Sequence, residues 1–383
     1  MASNLLHVLP PQGLLRPLAM PERLLLGPGP SNVHPRILAA GGRQLLGHMH
    51  PEVLQVSCPG PQVTAQLKAH QNLTLPLPKC LPGASVHELL KPPGEYFTPW
   101  DIEEVSAGHG AGWWVQAGPG GSHLLLCFTQ GLVRHKPLVL FITHGESSTG
   151  VLQPLEGLGE LCHRSVHGCL LLVDAVASLG GAPIFMDQQE IDILYSGSQK
   201  VLNAPPGTAP ISFSERAREK ILGRKTKPPS FYLDMHWLAN YWGCDGELRR
   251  YHHTPPINSF FSLREGLAML AELGLEKSWE HHQLNCAQLC QGLRDLGLEL
   301  FVKEEKARLP TVTTVRVPEG YDWKEIVAFL MDNHAIEISG GLGPSVGEVL
   351  RIGLMGCNST SSNVDRVLHA LRDALRCCHR SRL

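Results

Sequence analysis

The sequence has no excess of charge of either sign: 33 lysines and arginines stand against 35 aspartates and glutamates, a formal net charge of −2. That balance removes the electrostatic basis for holding nucleic acid or an anionic membrane surface. Aromatic residues make up only 6% of the 383 residues and are not interleaved with basic ones as base stacking would require. No apolar run reaches the length of a membrane span, and no internal repeat is visible. The eleven cysteines include no C-x-x-C pair, and their odd, scattered set excludes a disulfide scaffold and favours a reducing compartment. Cys286 and Cys290, four apart on an expected helix, offer half a metal site; with no second pair, no metal is expected.

What is present is ordinary globular text, 43% hydrophobic and 18% charged, long enough for two domains. In residues 1–23, Arg16 and Arg23 suit an organellar leader, but Pro10, Pro11, Pro17 and Pro21 would break its amphipathic helix. An extended arm lying on a partner subunit is the preferred reading. Leu24 to Asn32 is dense in glycine and proline, which makes it either a turn whose backbone approaches a ligand or a plain connector. From 57 to 116, prolines such as Pro59, Pro61, Pro76, Pro78, Pro92 and Pro93 interrupt every candidate helix or central strand. Only Val86–Leu90 and Trp113–Val115 look buried there, and the stretch reads as loop-rich.

Regular alternation follows. Leu138–Thr143, Gly168–Val176 and Ile191–Tyr195 read as buried strands, with a helix at Glu156–Arg164. Near-continuous apolar strands separated by helices indicate a parallel α/β sheet covered on both faces, with ligands at the carboxyl ends of its strands. Helices are expected at Leu263–Leu273, Ser278–Leu296, Trp323–His334 and Asn363–Cys377, with strands at Thr311–Val317 and Glu348–Leu354, a smaller α+β domain. The expected division is an arm at 1–23, a large domain at 24–273 containing the atypical 57–116, and a small domain at 274–383.

Two strand ends carry chemistry. Asp174 closes Cys169–Val173, and Lys200 follows Ile191–Tyr195 within Ser196-Gly197-Ser198-Gln199-Lys200. A strand-end lysine with a strand-end aspartate suggests a pyridoxal phosphate site, the lysine forming a Schiff base and the aspartate facing the pyridine nitrogen. The plainer alternative is a loop lysine and a helix-capping aspartate. His144-Gly145-Glu146-Ser147-Ser148-Thr149-Gly150 lies at a third strand end.

Together, Gly27-Pro28-Gly29-Pro30, His144–Gly150, Val173–Ser178, Ser196–Lys200, Tyr251-His252-His253-Thr254 and Arg351-Ile352-Gly353 resemble the class V, fold-type I aminotransferases. The resemblance covers residues 1–56 and about 117–383. It implies a large domain with a mainly parallel sheet, a smaller C-terminal α+β domain and pyridoxal 5'-phosphate as cofactor. It also implies a homodimer that passes the amino group of alanine or serine to glyoxylate, making glycine. Lys200 is the implied Schiff-base lysine, Asp174 the partner of the ring nitrogen, and Ser147 and Gln199 polar contacts to the cofactor. Arg351 is the implied clamp on the substrate carboxylate, and Gly27 and Gly29 line the small substrate. Tyr251 and Thr254 are implied to reach the cofactor phosphate of the neighbouring subunit; without the resemblance, Tyr251 reads as a core aromatic.

Residues 57–116 depart from the family's pattern, which there supplies a phosphate-binding turn and a tryptophan over the ring. Ser106–Gly110 is a partial likeness and Trp113 or Trp114 a candidate ring, at the wrong spacing. The abrupt edges are those of an alternatively spliced or misread stretch. This departure leaves one rival reading open, an inactive relative serving as a dimerisation partner; a second rival, a cysteine desulfurase-like lyase of the same fold, would need a mobile reactive cysteine, and Cys357, near the Arg351 strand, is expected to be buried. The terminal Ser381-Arg382-Leu383 is similar to a peroxisomal address, and the resemblance implies peroxisomes, or mitochondria in some members.

Overall fold

The computed structural model describes residues 18–57, 79–81, 128–129, 131–133, 136–164, 168–228 and 230–378. Val86–Leu90, Ser106–Gly110, Trp113, Trp114 and Ser381–Leu383 lie outside them. The chain opens with β1 (Leu24–Leu25), α1 (Pro35–Gly41), α2 (Pro51–Ser57) and β2 (Lys79–Leu81). Next come β3 (Val139–Thr143), β4 (Gly145–Glu146), β5 (Val151–Leu152), α3 (Leu158–Arg164), β6 (Leu170–Asp174), β7 (Ile193–Tyr195) and β8 (Ala209–Phe213). Then follow α4 (Glu215–Leu222), α5 (Met235–Tyr241), α6 (Ile257–Leu273) and α7 (Leu275–Asp295). The last part carries β9 (Val312–Arg316), α8 (Trp323–His334), β10 (Ile336–Glu337), β11 (Ser339–Gly340), β12 (Val349–Gly353) and α9 (Ser361–Cys377).

Five strands form the larger sheet, in the order β2-β8-β7-β6-β3. β3, β6 and β7 run parallel, as their apolar, two-face-buried sequences require. The register sets Thr143 beside Asp174 and Asp174 beside Tyr195, so three strands end on one line. β8 runs antiparallel to β7, and β2 antiparallel to β8. Neither β2 nor β8 was legible as a strand. Pro210 sits within β8 and lends only its carbonyl, which accepts from the Ser196 amide at 2.9 Å. β2 lies inside the stretch read as loop, so that stretch contributes a strand after all.

The expected helices hold, with α6 starting six residues before Leu263. α7 buries His282, Asn285, Cys286, Leu289, Cys290 and Leu293 along one stripe. There the Cys286 and Cys290 sulfurs face each other at 4.0 Å. With α8, α9 and the antiparallel sheet β11-β12-β9, that stripe closes the C-terminal core.

Leu24 and Leu25 pair in parallel with Ile336 and Glu337. Leu26, fully buried, joins the C-terminal core rather than the core of the larger sheet. Through Gly27–Asn32 the chain then passes from the C-terminal core to a third cluster, where Ile37 packs with Val53, Leu202 and Leu263.

Candidate active site

At the carboxyl edge of the larger sheet, the Asp174 carboxylate is oriented by two donors. Tyr195 Oη donates to Oδ2 at 2.7 Å and the Val176 amide to Oδ1 at 2.8 Å. Burial and the charge of Asp174 in turn hold the Tyr195 phenol well above its ordinary range, so it stays a donor. Beside them His144, buried at the end of β3, shares a 2.9 Å hydrogen bond between Nδ1 and Ser178 Oγ. Burial pushes this imidazole down to about 4, which keeps it neutral near pH 7.

Lys200 stands in the turn that follows β7. Its Nζ donates to the Pro28 carbonyl at 2.5 Å. Burial, and then the charge of Arg351, lower its pKa, with Asp174 opposing them. The amine is therefore easier to deprotonate than a surface lysine, as a nucleophile requires. Gly29 makes the approach of the loop possible. Its φ is +107°, and a Cβ there would stand 2.4 Å from Lys200 Nζ.

Arg351 comes from the other sheet. On β12, Leu350 and Ile352 point into the C-terminal core, and alternation turns Arg351 the opposite way. It is only 8% exposed. Nε donates to the Gly340 carbonyl at 2.6 Å and Nη1 to the Ser147 carbonyl at 3.2 Å. Nη2 has no hydrogen-bond partner among the described residues. A guanidinium anchored along one edge, with donors left over, suits a carboxylate. Glu146 is the acid whose charge reaches Arg351, but its oxygens are engaged by the amides of Ser148 and Thr149 at 2.8 and 2.9 Å.

The other expected site residues divide. Ser147 meets Arg351 through its carbonyl, and the Gln199 carbonyl accepts from the Ser31 amide at 3.0 Å. Gly27 lies where a Cβ would meet Glu337 Oε1 at 3.0 Å and Ser339 Oγ at 3.1 Å. Tyr251 and Thr254 are not brought to Lys200. Their hydroxyls lie 3.3 Å apart on the surface. At 62% exposure Tyr251 is no core aromatic; its neighbour His48, 5.3 Å away ring to ring, covers it only in part.

The lyase reading fares badly. The Cys357 sulfur donates to the Asn32 carbonyl at 3.4 Å, and burial raises its pKa, so it is neither placed nor activated as a nucleophile. Sequence reading missed Tyr195, Ser31 and Asn203. Tyr195 could have been found as the residue ending the strand beside Asp174; the other two sit in loops with no periodic signal.

The donor set fits pyridoxal phosphate: a half-buried amine with a lowered pKa, a carboxylate aimed by hydrogen-bond donors and a guanidinium converge on one sheet edge, beside a loop whose glycines leave no room for a Cβ. The residues expected to bind the phosphate within 57–116 lie outside the described ones.

A model of the family described as Aminotransferase class-V matches residues 115–367. The alanine–glyoxylate aminotransferase of Callithrix jacchus is 56% identical over 396 residues, covering 100% of this chain and 95% of the relative. The alignment thus also spans 57–114, which precede the family match. The (S)-ureidoglycine–glyoxylate transaminase of Bacillus subtilis is 29% identical, covering 94% of this chain and 92% of that one. Among solved structures, the alanine–glyoxylate aminotransferase of Nostoc sp. superposes with a TM-score of 0.82 at 40% identity, covering 94% of this chain and 97% of the other. With an amine, a carboxylate and a guanidinium set as the sheet register dictates, and relatives aligned over its whole length, this chain belongs to the pyridoxal-phosphate-dependent class V aminotransferases.

Proposed function

We propose that this chain transfers the amino group of L-alanine, or L-serine, to glyoxylate, making glycine and removing glyoxylate. The observation that carries the reading is the convergence of Lys200, Asp174 and Arg351 at one edge. Relatives at 50–56% identity named alanine–glyoxylate aminotransferase support the donor and the acceptor. Bound pyridoxal phosphate supplies an aldehyde for the amino group and a ring that withdraws electrons from the α-carbon.

The rest falls to the chain. Arg351 takes the α-carboxylate common to alanine, serine, glyoxylate and pyruvate, and its one buried charge suits a monocarboxylate. Asp174 holds a proton on the ring nitrogen, and Tyr195 and Val176 keep its carboxylate aimed. Lys200, leaving the Pro28 carbonyl, would hold the aldehyde until the substrate's amino group displaces it, and its freed amine would then take the proton from the substrate α-carbon. Gly27 and Gly29 leave no side chain where a small substrate passes. Ser147 and Gln199 orient the cofactor. In this reading residues 24–273 form the cofactor-binding domain and 274–383 the small domain.

The reading includes a homodimer in which Tyr251 and Thr254 of one protomer reach the phosphate of its partner; their exposed, adjacent hydroxyls support it. Ser381-Arg382-Leu383 is read as a peroxisomal address, and a tagged chain with and without those residues tests it. The inactive alternative has nothing in its favour among the described residues, since amine, carboxylate and guanidinium are all in place. The decisive assay supplies alanine and glyoxylate to the cofactor-loaded protein. Glycine and pyruvate forming in equal amounts support the reading; no amino transfer by a protein that binds the cofactor overturns it.

A further inference from the structure

Three residues past Lys200, Asn203 is 6% exposed and holds a left-handed backbone, φ +52°. Its side chain ties three distant segments together. Nδ2 donates to Ser31 Oγ at 2.8 Å and to the Asn32 carbonyl at 3.2 Å, while Oδ1 accepts from the Cys357 amide at 2.7 Å. The Ser31 hydroxyl has a single proton, and it goes to the Lys200 carbonyl at 2.8 Å. Ser31 therefore accepts from Asn203, and the directions are fixed. The Cys357 amide donates to Asn203, Asn203 to Ser31, and Ser31 to Lys200. Bonds aligned head to tail in a buried site strengthen one another. The Asn203 amide also donates to the Lys200 carbonyl, at 3.1 Å.

The far end of this chain is equally well held. Cys357 belongs to the turn after β12, the strand that carries Arg351. The neighbouring Gly356 amide donates to His282 Nε2 at 3.0 Å, and His282 Nδ1 faces the Ser278 carbonyl at 2.7 Å. Asn358 Nδ2 donates to the Leu25 carbonyl at 2.7 Å. One buried amide thus links the turn bearing the reactive amine, the Gly27–Asn32 loop and the turn that terminates the carboxylate-binding strand.

We infer that Asn203 is a positioning residue: it sets the spacing between Lys200 and Arg351, so that a substrate held by its carboxylate presents its α-carbon at Nζ. This rests on the amino-transfer reading above. The substrate grip itself stays with Arg351, so misplacement shows in turnover rather than in binding. A displacement of about 1 Å at a reacting centre costs roughly a hundredfold.

The test compares the cofactor-loaded wild type with Asn203→Gly, which keeps the left-handed backbone and removes the amide, and with Asn203→Asp, which keeps the acceptor for Cys357 and loses the donors to Ser31. The expected result is a fall of about a hundredfold in kcat for Asn203→Gly with KM for alanine within about threefold. The pH midpoint of the visible cofactor–lysine absorbance shifts as well, and Asn203→Asp lies between the two. A merely structural role would lower Tm and the yield of folded protein yet leave kcat per bound cofactor and the absorbance midpoint at wild-type values. That result in either variant overturns the inference while leaving the amino-transfer reading intact. A cofactor-loaded wild type without turnover overturns both.

Discussion

Lys200 and Asp174 stand at or just beyond the ends of parallel strands, whereas Arg351 sits in the middle of an antiparallel one. The two placements depend on different parts of the molecule. The first pair owe their position to the register of β3, β6 and β7, whose side chains are buried on both faces of the sheet. Arg351 owes its direction to alternation against a core on one face. Reactive groups at strand ends lie in loops that can shift, as an amine that must leave the Pro28 carbonyl requires. A mid-strand guanidinium with two donors bound to backbone is a fixed receptor. The site is thus a movable group from one sheet and a rigid one from another, and only the seam between the sheets makes them one site.

The contrast breaks most completely at Lys200. Lys200→Ala removes the nucleophile and the proton carrier together, and turnover of alanine with glyoxylate is expected to fall by about a thousandfold or more. Pyruvate release measures it, and an Ala variant with normal turnover would sink the assignment. Arg351→Lys keeps the charge but loses the planar fork. At about 1.5–3 kcal/mol per charged hydrogen bond, kcat/KM for alanine should fall roughly 10- to 100-fold. Most of that loss should appear in KM, and a loss confined to kcat would deny Arg351 its role as receptor.

The seam is tested by Gly353→Ala. The Gly353 amide donates to the Leu26 carbonyl at 2.7 Å, and a Cβ there would come within 1.9 Å of the Gly27 carbonyl oxygen. The forced shift should cost about 1–3 kcal/mol in chemical denaturation. An unchanged midpoint would mean the two sheets are joined more loosely than described.

A further test concerns acid. His144 and His282 are pushed by burial from an ordinary 6.5 down to about 4. Between those values the unfolded chain binds more protons than the folded one. Their contribution is therefore complete above about pH 6.5 and drains away as pH falls toward 4, at no more than about 1.4 kcal/mol per pH unit for each imidazole. Denaturant melts from pH 7.5 to 4.5 should show that slope, and His282→Gln should flatten it. A slope unaltered by the substitution would place the acid sensitivity elsewhere.

The strand-end half of the site was legible because runs such as Leu170–Val173 announce a buried strand and the next polar residue announces its end. Arg351 was legible for the complementary reason, a charge between Leu350 and Ile352. What stayed hidden was whatever depends on two distant segments meeting. β8 carries a proline, β1 is two residues long, and each forms only because a partner strand supplies hydrogen bonds that local propensity does not encode. Asn203 and Ser31 look like ordinary loop residues until the loops are brought together. Tyr251 misled by type, since an aromatic side chain invites burial and this one is on the surface.

The pairing of Leu24 with Ile336 also has a bearing on synthesis. At roughly 5–20 residues per second, tens of seconds separate the emergence of those two residues from the ribosome. The larger sheet can assemble while translation continues. Throughout that interval Leu24 and Leu25 lack the strand that pairs with them, and the Gly27–Asn32 loop is held only from its other side, by Ser31 and Asn203. Arg351, made later still, joins the site after the lysine, and a product interrupted between the two would carry the amine without the guanidinium.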